Sequence, residues 1–591
     1  MRIISKLLII FLLLVNYSTL NASHLMGGEI TWVCNGNGTY EFYLKLFRDC
    51  NGVPGPNSVT LTSNGPVTAI LCSLIGQNDI SPVGPGCPTC PAPAGFASAS
   101  EEFIYKSAEI TLNGMPPAGG WYFYYSDCCR NAAITNINVS SSGAFILRAY
   151  MYAYSGQNAF PCFDNSPYFA ESPTLSACTR DTIQFNPATF DIDLDSLKFE
   201  WGQPLTSIGQ PAGYNSGYTY NTPLPNPNQN PLNSWPLLDS THGIISFVSY
   251  TPGSYVTNNK ISSYKCGQLV SEVFREVQIS LFNCFINSFP LSYNTPPNFT
   301  TSNAVETFSL LAGDTFTYSF IATDFEFTPN SSGTVMQTIT MVAKGIELGL
   351  NDTSFNTGCL IPPCAVLAYP TPISGVSLIY QDLTWPTACA HAGYNNGCLQ
   401  FQRTFQFVFR LNDNCCPANG VSYKSLLVNV HGPTIQSNGP NLIVNYPNIS
   451  IQWYLNGVPI PGANDTIYTP TQNGIYSILA TTPGGCSMVS NSVNKVLSGI
   501  EQLADNKSSI QVFPNPANAH TGINVLLKNI NTGSNLIRII DLSGKVVKQI
   551  NLSISSADEH LLIDFSDLSK GHYTISLSGK SGLISTNIVL N

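Results

Sequence analysis

The chain has 591 residues and a net charge of -10, from 24 Lys or Arg against 34 Asp or Glu, with only 10% of residues charged where about 25% is usual. That balance, with no basic cluster, argues against nucleic acid and anionic membrane as partners. No stretch approaches the roughly 18 uninterrupted apolar residues of a spanning helix, so no transmembrane segment is expected, and the length suits about four or five domains.

In chain order, MRIISKLLIIFLLLV places Arg2 and Lys6 before an apolar run, Leu7 to Val15, followed by polar NYSTLNA. This reads as a secretory signal peptide over 1–22, cut after Ala22 and too short to remain as an anchor. Export to an oxidising compartment suits the 18 cysteines, 17 of which lie between Cys34 and Cys416. The disulfide candidates are Cys34, Cys50, Cys72, Cys87, Cys90, Cys128, Cys129, Cys162, Cys178, Cys266, Cys284, Cys359, Cys364, Cys389, Cys398, Cys415 and Cys416. Their pairing cannot be read from sequence. Cys486 is either a free thiol or bonded upstream.

Secondary structure reads as all-β. Alternating runs such as TYEFYLKLF (from Thr39), GWYFYYS (from Gly120), FQFVFRL (from Phe405) and HYTISLS (from His572) are separated by Gly, Pro, Asn and Asp turns. Tandem disulfide-stapled β-sandwiches are the expected architecture. A cysteine-rich β domain is expected over 23–157, a cadherin-like or PKD-like sandwich over 158–285, and a second of similar type over 286–432. The latter two read as diverged copies: SPYFAESPTLSACTRDTIQFNPATFDIDLDSL, from Ser166, and PPNFTTSNAVETFSLLAGDTFTYSFIATDFEF, from Pro296, each pair a Pro-Phe entry with a later acidic turn.

Within 433–497, IQWYLNGVPIPGANDTIYTPTQNGIYSILATTPGGCSMVSNSV resembles an immunoglobulin-like domain of bacterial surface proteins. The resemblance places Trp453 on the third strand against the core and makes Tyr476 the corner tyrosine. Ile478 stands where antibody-type domains carry their second core cysteine, so this sandwich is expected to hold without that disulfide.

A polar linker over 498–509 leads to a final small sandwich over 510–591, with turns at Ser543-Gly544 and Lys570-Gly571. Pro514 and Pro516 cannot donate ladder hydrogen bonds and suit the start of an edge strand. The order PNPA (Pro514, Asn515, Pro516, Ala517), DLSGKVV (with Asp541, Gly544, Lys545) and LSKGHYTISL (with Gly571, Tyr573) resembles the type A C-terminal sorting domain of the type IX secretion system. The resemblance implies Sec export and recognition by the type IX machinery. It further implies passage across a Gram-negative outer membrane, then removal of the tail, with the cargo released or attached to lipopolysaccharide. The N-terminal stretch ASHLMGGEITWVCNGNGTYEFYLKLFRDCNG, with SDCCRNAAITN, resembles the opening module of large surface proteins associated with gliding or adhesion.

Among chemical constellations, Cys87-Pro-Thr-Cys90 has redox or zinc half-site spacing, but no second CxxC follows, so a disulfide-bonded loop is expected. Adjacent strand residues face opposite ways, so Cys128-Cys129 and Cys415-Cys416 should each bond outward. Asp191, Asp193 and Asp195 are the candidate calcium ligands, similar to the calcium loops of cadherin-like sandwiches, against the alternative of a solvated acidic turn. No other cofactor is indicated. Asp181-Thr182-Ile183, Asp195-Ser196-Leu197 and Asp465-Thr466-Ile467 match a bacterial O-glycosylation pattern. Nucleophile-elbow, zinc-helix and phosphate-loop motifs do not occur, and the seven histidines never cluster. A non-enzymatic secreted or surface protein follows, adhesive or ligand-binding, with a surface glycan or protein as partner. The alternative is a secreted hydrolase, a glycosidase or a protease, with a site not visible in the sequence; for a glycosidase, folding would bring together paired carboxylates such as Glu101-Glu102 or Asp239.

Overall fold

A computed structural model describes residues 25–591 apart from 36, 51, 53, 86, 88, 91–98, 129, 132, 139–143, 155–163, 174, 289–290, 301–302, 331–332, 349–357, 394–401, 447, 497–507, 519–521 and 580–581. The expected signal peptide, most of the linker, Cys129, Cys162 and Cys398 lie outside the described residues. The fold is nearly all strand; the only helical segment among the described residues is the 3-10 turn Cys389–Ala392. No described helix is long and apolar enough to cross a membrane.

The first sheet crosses the expected boundary at 157/158. Strands of the N-terminal unit run in the order Leu25–Cys34, Tyr40–Asp49, Ser100–Ser107, Ala69–Asp79, Ser58–Ser63, Trp121–Asp127, Phe145–Met151. The long strand Gln268–Phe282 pairs with both ends of this series, through Gly28↔Glu276 on one side and Glu272↔Tyr150 on the other. The ring therefore closes into an eight-stranded barrel whose last stave comes from the second unit. Closure removes the free edges that a seven-stranded sheet would expose.

Gly27 and Gly28 are what the closing contact requires. A Cβ on Gly27 would lie 2.0 Å from the Glu276 carbonyl oxygen, and one on Gly28 would lie 2.5 Å from that of Lys45. The barrel is filled by Trp32, Phe42, Tyr105, Phe123 and Leu147, all under 2% exposed. Polar groups on its wall pair across strands: Arg275 with Glu29, Arg48 with Glu101, and Arg130 Nε with Glu276 Oε1 at 2.7 Å.

The second and third units share a topological device. Ser176–Cys178 runs parallel to Gln268–Phe282, and Val305–Leu311 runs parallel to Val421–His431, so each unit's early strand lies beside its last. In the third unit a five-stranded and a four-stranded sheet face each other. The alternation in FQFVFRL turns Phe405, Phe407, Phe409 and Leu411 inward, where Phe409 meets Phe320 at 3.9 Å and Phe405 meets Trp385 at 5.0 Å between ring centroids.

In the immunoglobulin-like unit Trp453 is fully buried, donates its indole N–H to the Asp465 carbonyl at 2.8 Å and lies opposite Ile478 on the neighbouring strand. Tyr476 donates its hydroxyl to the Gln472 carbonyl at 2.7 Å, closing the corner.

Disulfides join the units. Cys87–Cys416 ties the N-terminal unit to the third, and Cys389–Cys486 ties the third to the immunoglobulin-like unit. Cys486 is thus bonded upstream. Both joints are tight: a Cβ on Gly84 would meet the Asn414 carbonyl oxygen at 2.0 Å, and one on Gly484 would meet that of Gly313 at 2.2 Å. Cys50–Cys90 and Cys359–Cys364 close shorter loops, Cys178–Cys284 closes the second unit on itself across 106 residues, and Cys34 and Cys266 are also disulfide-bonded. Cys87 and Cys90 bond to different partners rather than to each other.

Two expected staples are thiols. Cys72 and Cys415 are buried, and burial pushes each thiol up to about 12. Cys72 sits among Leu61, Ile70 and Tyr105 in the barrel core, acting as a small apolar side chain. At the Cys415-Cys416 pair only Cys416 bonds outward. Cys128 is exposed just beyond the strand Trp121–Asp127.

Candidate functional site

The terminal sandwich has a three-stranded sheet, Ser509–Phe513, Ile523–Lys528 and Glu559–Ile563, facing a four-stranded one. The second runs Val546–Ile554, Gly533–Asp541, Gly571–Gly579, Gly582–Leu590. Its core draws only on tail residues, among them Ile523, Val525, Ile537, Ile539, Phe565 and Ile575, each wholly buried.

The Pro-Asn-Pro-Ala segment lies along the free edge of the last strand. Asn515 Nδ2 donates to the Asn587 carbonyl at 2.8 Å, and Val589 N donates to Asn515 Oδ1 at 3.0 Å. Ala517 N then donates to the Val589 carbonyl, and Asn591 N to the Ala517 carbonyl, both at 2.8 Å. Proline has no N–H. Between two prolines, the Asn515 carboxamide therefore supplies the donor and acceptor that a strand residue would offer from its backbone. Pro514 and Pro516 do not start an edge strand as expected but follow the end of one, Ser509–Phe513, because the chain turns there to run along the last strand; a carboxamide flanked by two prolines beside an unpaired edge is the signal that suggests the Asn515 clasp.

Asp541 organises the hairpin turn. Its Oδ1 accepts from Ser543 N at 2.9 Å, Ser543 Oγ at 2.6 Å and Lys545 N at 3.1 Å, and Gly544 takes the left-handed φ of 83°. The Ser543 hydroxyl bond holds the Asp541 carboxyl below its ordinary value. Lys545 contributes its backbone, its N–H to Asp541 Oδ1 and its carbonyl to Asp541 N. Gly571 opens its strand, and Tyr573 donates to the Ser569 carbonyl at 2.7 Å, repeating the device of Tyr476. These motif residues fall at three distinct places, the edge clasp and the two turns.

The acidic turn differs from its expected form. Asp191 faces back into its own loop: Oδ1 accepts from Asp193 N at 2.9 Å, and Oδ2 from Ser263 Oγ at 2.9 Å. The carboxylates that converge are Asp164, Asp193 and Asp195, with oxygens within 4.8 Å of one another. Lys265 Nζ stands 3.2 Å from Asp164, 3.4 Å from Asp193 and 3.2 Å from Asp195. Burial, then the neighbouring Asp191, pushes the Asp164 carboxyl well above its ordinary value. Burial works against the Lys265 ammonium, but the three carboxylates outweigh it and raise its pKa.

The carboxylates considered for hydrolysis have other partners. Glu101 pairs with Arg48 and accepts from Gln77 Nε2 at 2.6 Å, while its neighbour Glu102 accepts from Asn78 Nδ2 at 3.2 Å. Asp239 holds His242 Nδ1 at 2.5 Å, and His242 lines a cleft of about 360 Å³ with Phe190, Arg403 and Gln406. In GWYFYYS, Trp121, Phe123 and Tyr125 are buried. Tyr122 and Tyr124 instead form a half-buried row on the barrel's outside with Tyr150 and Tyr152, at centroid spacings of 6.0 to 6.4 Å.

Residues 511–591 match the family described as the secretion system C-terminal sorting domain. The terminal sandwich is therefore a sorting domain, indicating secretion by the type IX system and a secreted or cell-surface location. None of the curated proteins matches the chain. Similar solved structures include a biofilm associated protein BSP domain, 8% identical, with 97% of each chain covered and a TM-score of 0.16. The FN1-FN3 domains of chicken CNTN1 are 11% identical over 48% of this chain and 100% of that one, with a TM-score of 0.14. An endo-fucoidan hydrolase from glycoside hydrolase family 107 is 12% identical over 64% of this chain and 43% of that one, at 0.12. At such TM-scores none of these likenesses bears on fold or function.

Proposed function

We propose that a chain ending in this sorting sandwich is a non-enzymatic surface protein, with residues 510–591 serving as the export address and the stapled units before it as the working part. The observation that carries this reading is the independence of the tail. Its core is its own, and no cysteine follows Cys486 to bind it covalently to the cargo. The half-buried tyrosine row outside the barrel is the contact surface favoured for a glycan or protein ligand, because such rings offer apolar area and a polar tip together. Attachment to lipopolysaccharide after tail removal belongs to the same proposal.

The test compares the full chain with one lacking 510–591 in a host with type IX secretion. The full chain is expected at the surface or in the medium, with an intact mass showing loss of the tail, while the truncated chain stays in the periplasm. Equal export of both would sink the address reading. Activity on a panel of peptides and polysaccharides, abolished by His242→Ala, would overturn the non-enzymatic reading.

A further inference from the structure

We propose that Asp164, Asp193 and Asp195 bind a hard divalent cation of the calcium class at the seam between the N-terminal strand Leu25–Cys34 and the second unit. This goes beyond the export reading and does not rest on it.

The cluster is built from two distant places in the chain and braced behind its oxygens. Asn165 fixes Asp193 twice, its N–H to Oδ2 at 2.8 Å and its Nδ2 to Oδ1 at 3.0 Å, while Cys34 N donates to Asn165 Oδ1 at 2.7 Å. Trp32 donates its indole N–H to the Asp164 carbonyl at 3.2 Å. Ligands held from behind in this way are already arranged for a cation.

The second observation is an unsatisfied oxygen. The Asp164 side chain is wholly buried and its Oδ1 is met by Lys265, but its Oδ2 has no donor and its side-chain neighbour is the Asp195 carboxylate. Two buried carboxylates side by side are costly unless a proton or a cation lies between them, and a cation-binding measurement separates these two. Lys265 carries one positive charge against three carboxylates, so its ammonium leaves the group short of neutral. Oxygen-only donors suit a hard cation such as calcium rather than a softer metal. Lys265 ends the strand Gly253–Lys265 and its side chain is 18% exposed, so it can swing toward water when a cation enters. It then acts as a competitor that weakens the site.

Terbium, which takes oxygen ligands as calcium does, tests the site on the mature full chain, because the adjacent Trp32 indole can sensitise its emission. Sensitised emission that calcium chases is the expected result, lost in Asp164→Asn and in Trp32→Phe, with Trp32→Phe keeping the calcium-dependent rise in melting temperature. Lys265→Gln is expected to tighten calcium binding several-fold, and it keeps the proposal testable should Asp164→Asn fail to fold. No sensitised emission and no calcium-dependent melting shift in either the natural chain or Lys265→Gln would overturn it, leaving Lys265 as the site's own counter-ion. Emission that survives in folded Asp164→Asn would also overturn it.

Discussion

Residues 25–495 and residues 509–591 are both built from facing β-sheets, yet cysteine is confined to the first region. There, Cys87–Cys416 spans 329 residues and Cys389–Cys486 spans 97, so units far apart in sequence form one covalent body. The tail relies on its apolar core, an edge clasp and two organised turns. A disulfide removes more freedom from the unfolded chain the longer the loop it closes, so staples between units contribute most to a protein that must persist outside the cell. On the proposed reading, a tail that is recognised and then removed would gain nothing from being tied to its cargo. The difference teaches that covalent closure and apolar packing are alternative ways of holding β-sheets together.

Breaking the staples should produce the largest effect. Cys87→Ser with Cys416→Ser, or Cys389→Ser with Cys486→Ser, is expected to cost about 5 kcal/mol per disulfide, the value for closing loops of about 100 residues or more. Hydrogen exchange followed by region should quicken in the body while tail protection is unchanged; equal loosening of the tail would break the comparison.

Next in size is Trp453→Ala, which empties the centre of the immunoglobulin-like core and is expected to cost about 3–5 kcal/mol. Urea unfolding followed by Tyr and Trp fluorescence would measure it. Because Cys389–Cys486 anchors one end of this unit, the loss should be confined to it.

A smaller effect comes from pH. Burial raises the Asp413 carboxyl to about 7, against hydrogen bonds from Asn294, Cys415 and Gly420 that favour its charge. Between pH about 4 and about 7 the folded state therefore holds a proton that the unfolded state has released, and stability falls as pH rises. The Asp413-dependent part of that fall is expected to be about 1.4 kcal/mol for each pH unit inside that window. It should be absent in Asp413→Asn, as thermal melts across that window would read. Asp541 in the tail has the opposite sign: its lowered carboxyl contributes above the ordinary carboxylate range and is lost on acidification.

The smallest effect is expected at the clasp. Asn515→Ala removes two exposed hydrogen bonds to the last strand, worth about 1 kcal/mol, and should quicken exchange at Val589 without unfolding the tail. Full retention of Val589 protection would show that Ala517 alone holds the edge.

Much of this was legible because it is written at short range. Period-two alternation in FQFVFRL and HYTISLS announces half-buried strands, and Tyr476, Asp541 and Tyr573 act within a few residues of themselves. The sorting motifs are local turns and an edge segment, so their spacing survives in the sequence. The acidic turn was legible only in part. Alternation placed Asp193 and Asp195 together, but Asp191 turned inward to bond its own loop, and its place beside Lys265 went to Asp164 from a distant segment.

By itself, the sequence determined an all-β chain, a cysteine-rich body and a cysteine-free sorting tail, since strand period, turn residues and composition need no knowledge of distant neighbours. Tertiary structure alone decided that Gln268–Phe282 closes the N-terminal barrel, that Cys87 bonds Cys416 while Cys72 and Cys415 remain buried thiols, and that Lys265 meets three aspartates. Each of these joins residues separated by many turns of chain. Which of several chemically equivalent partners meet is set by how whole sheets pack, and no local pattern carries that information.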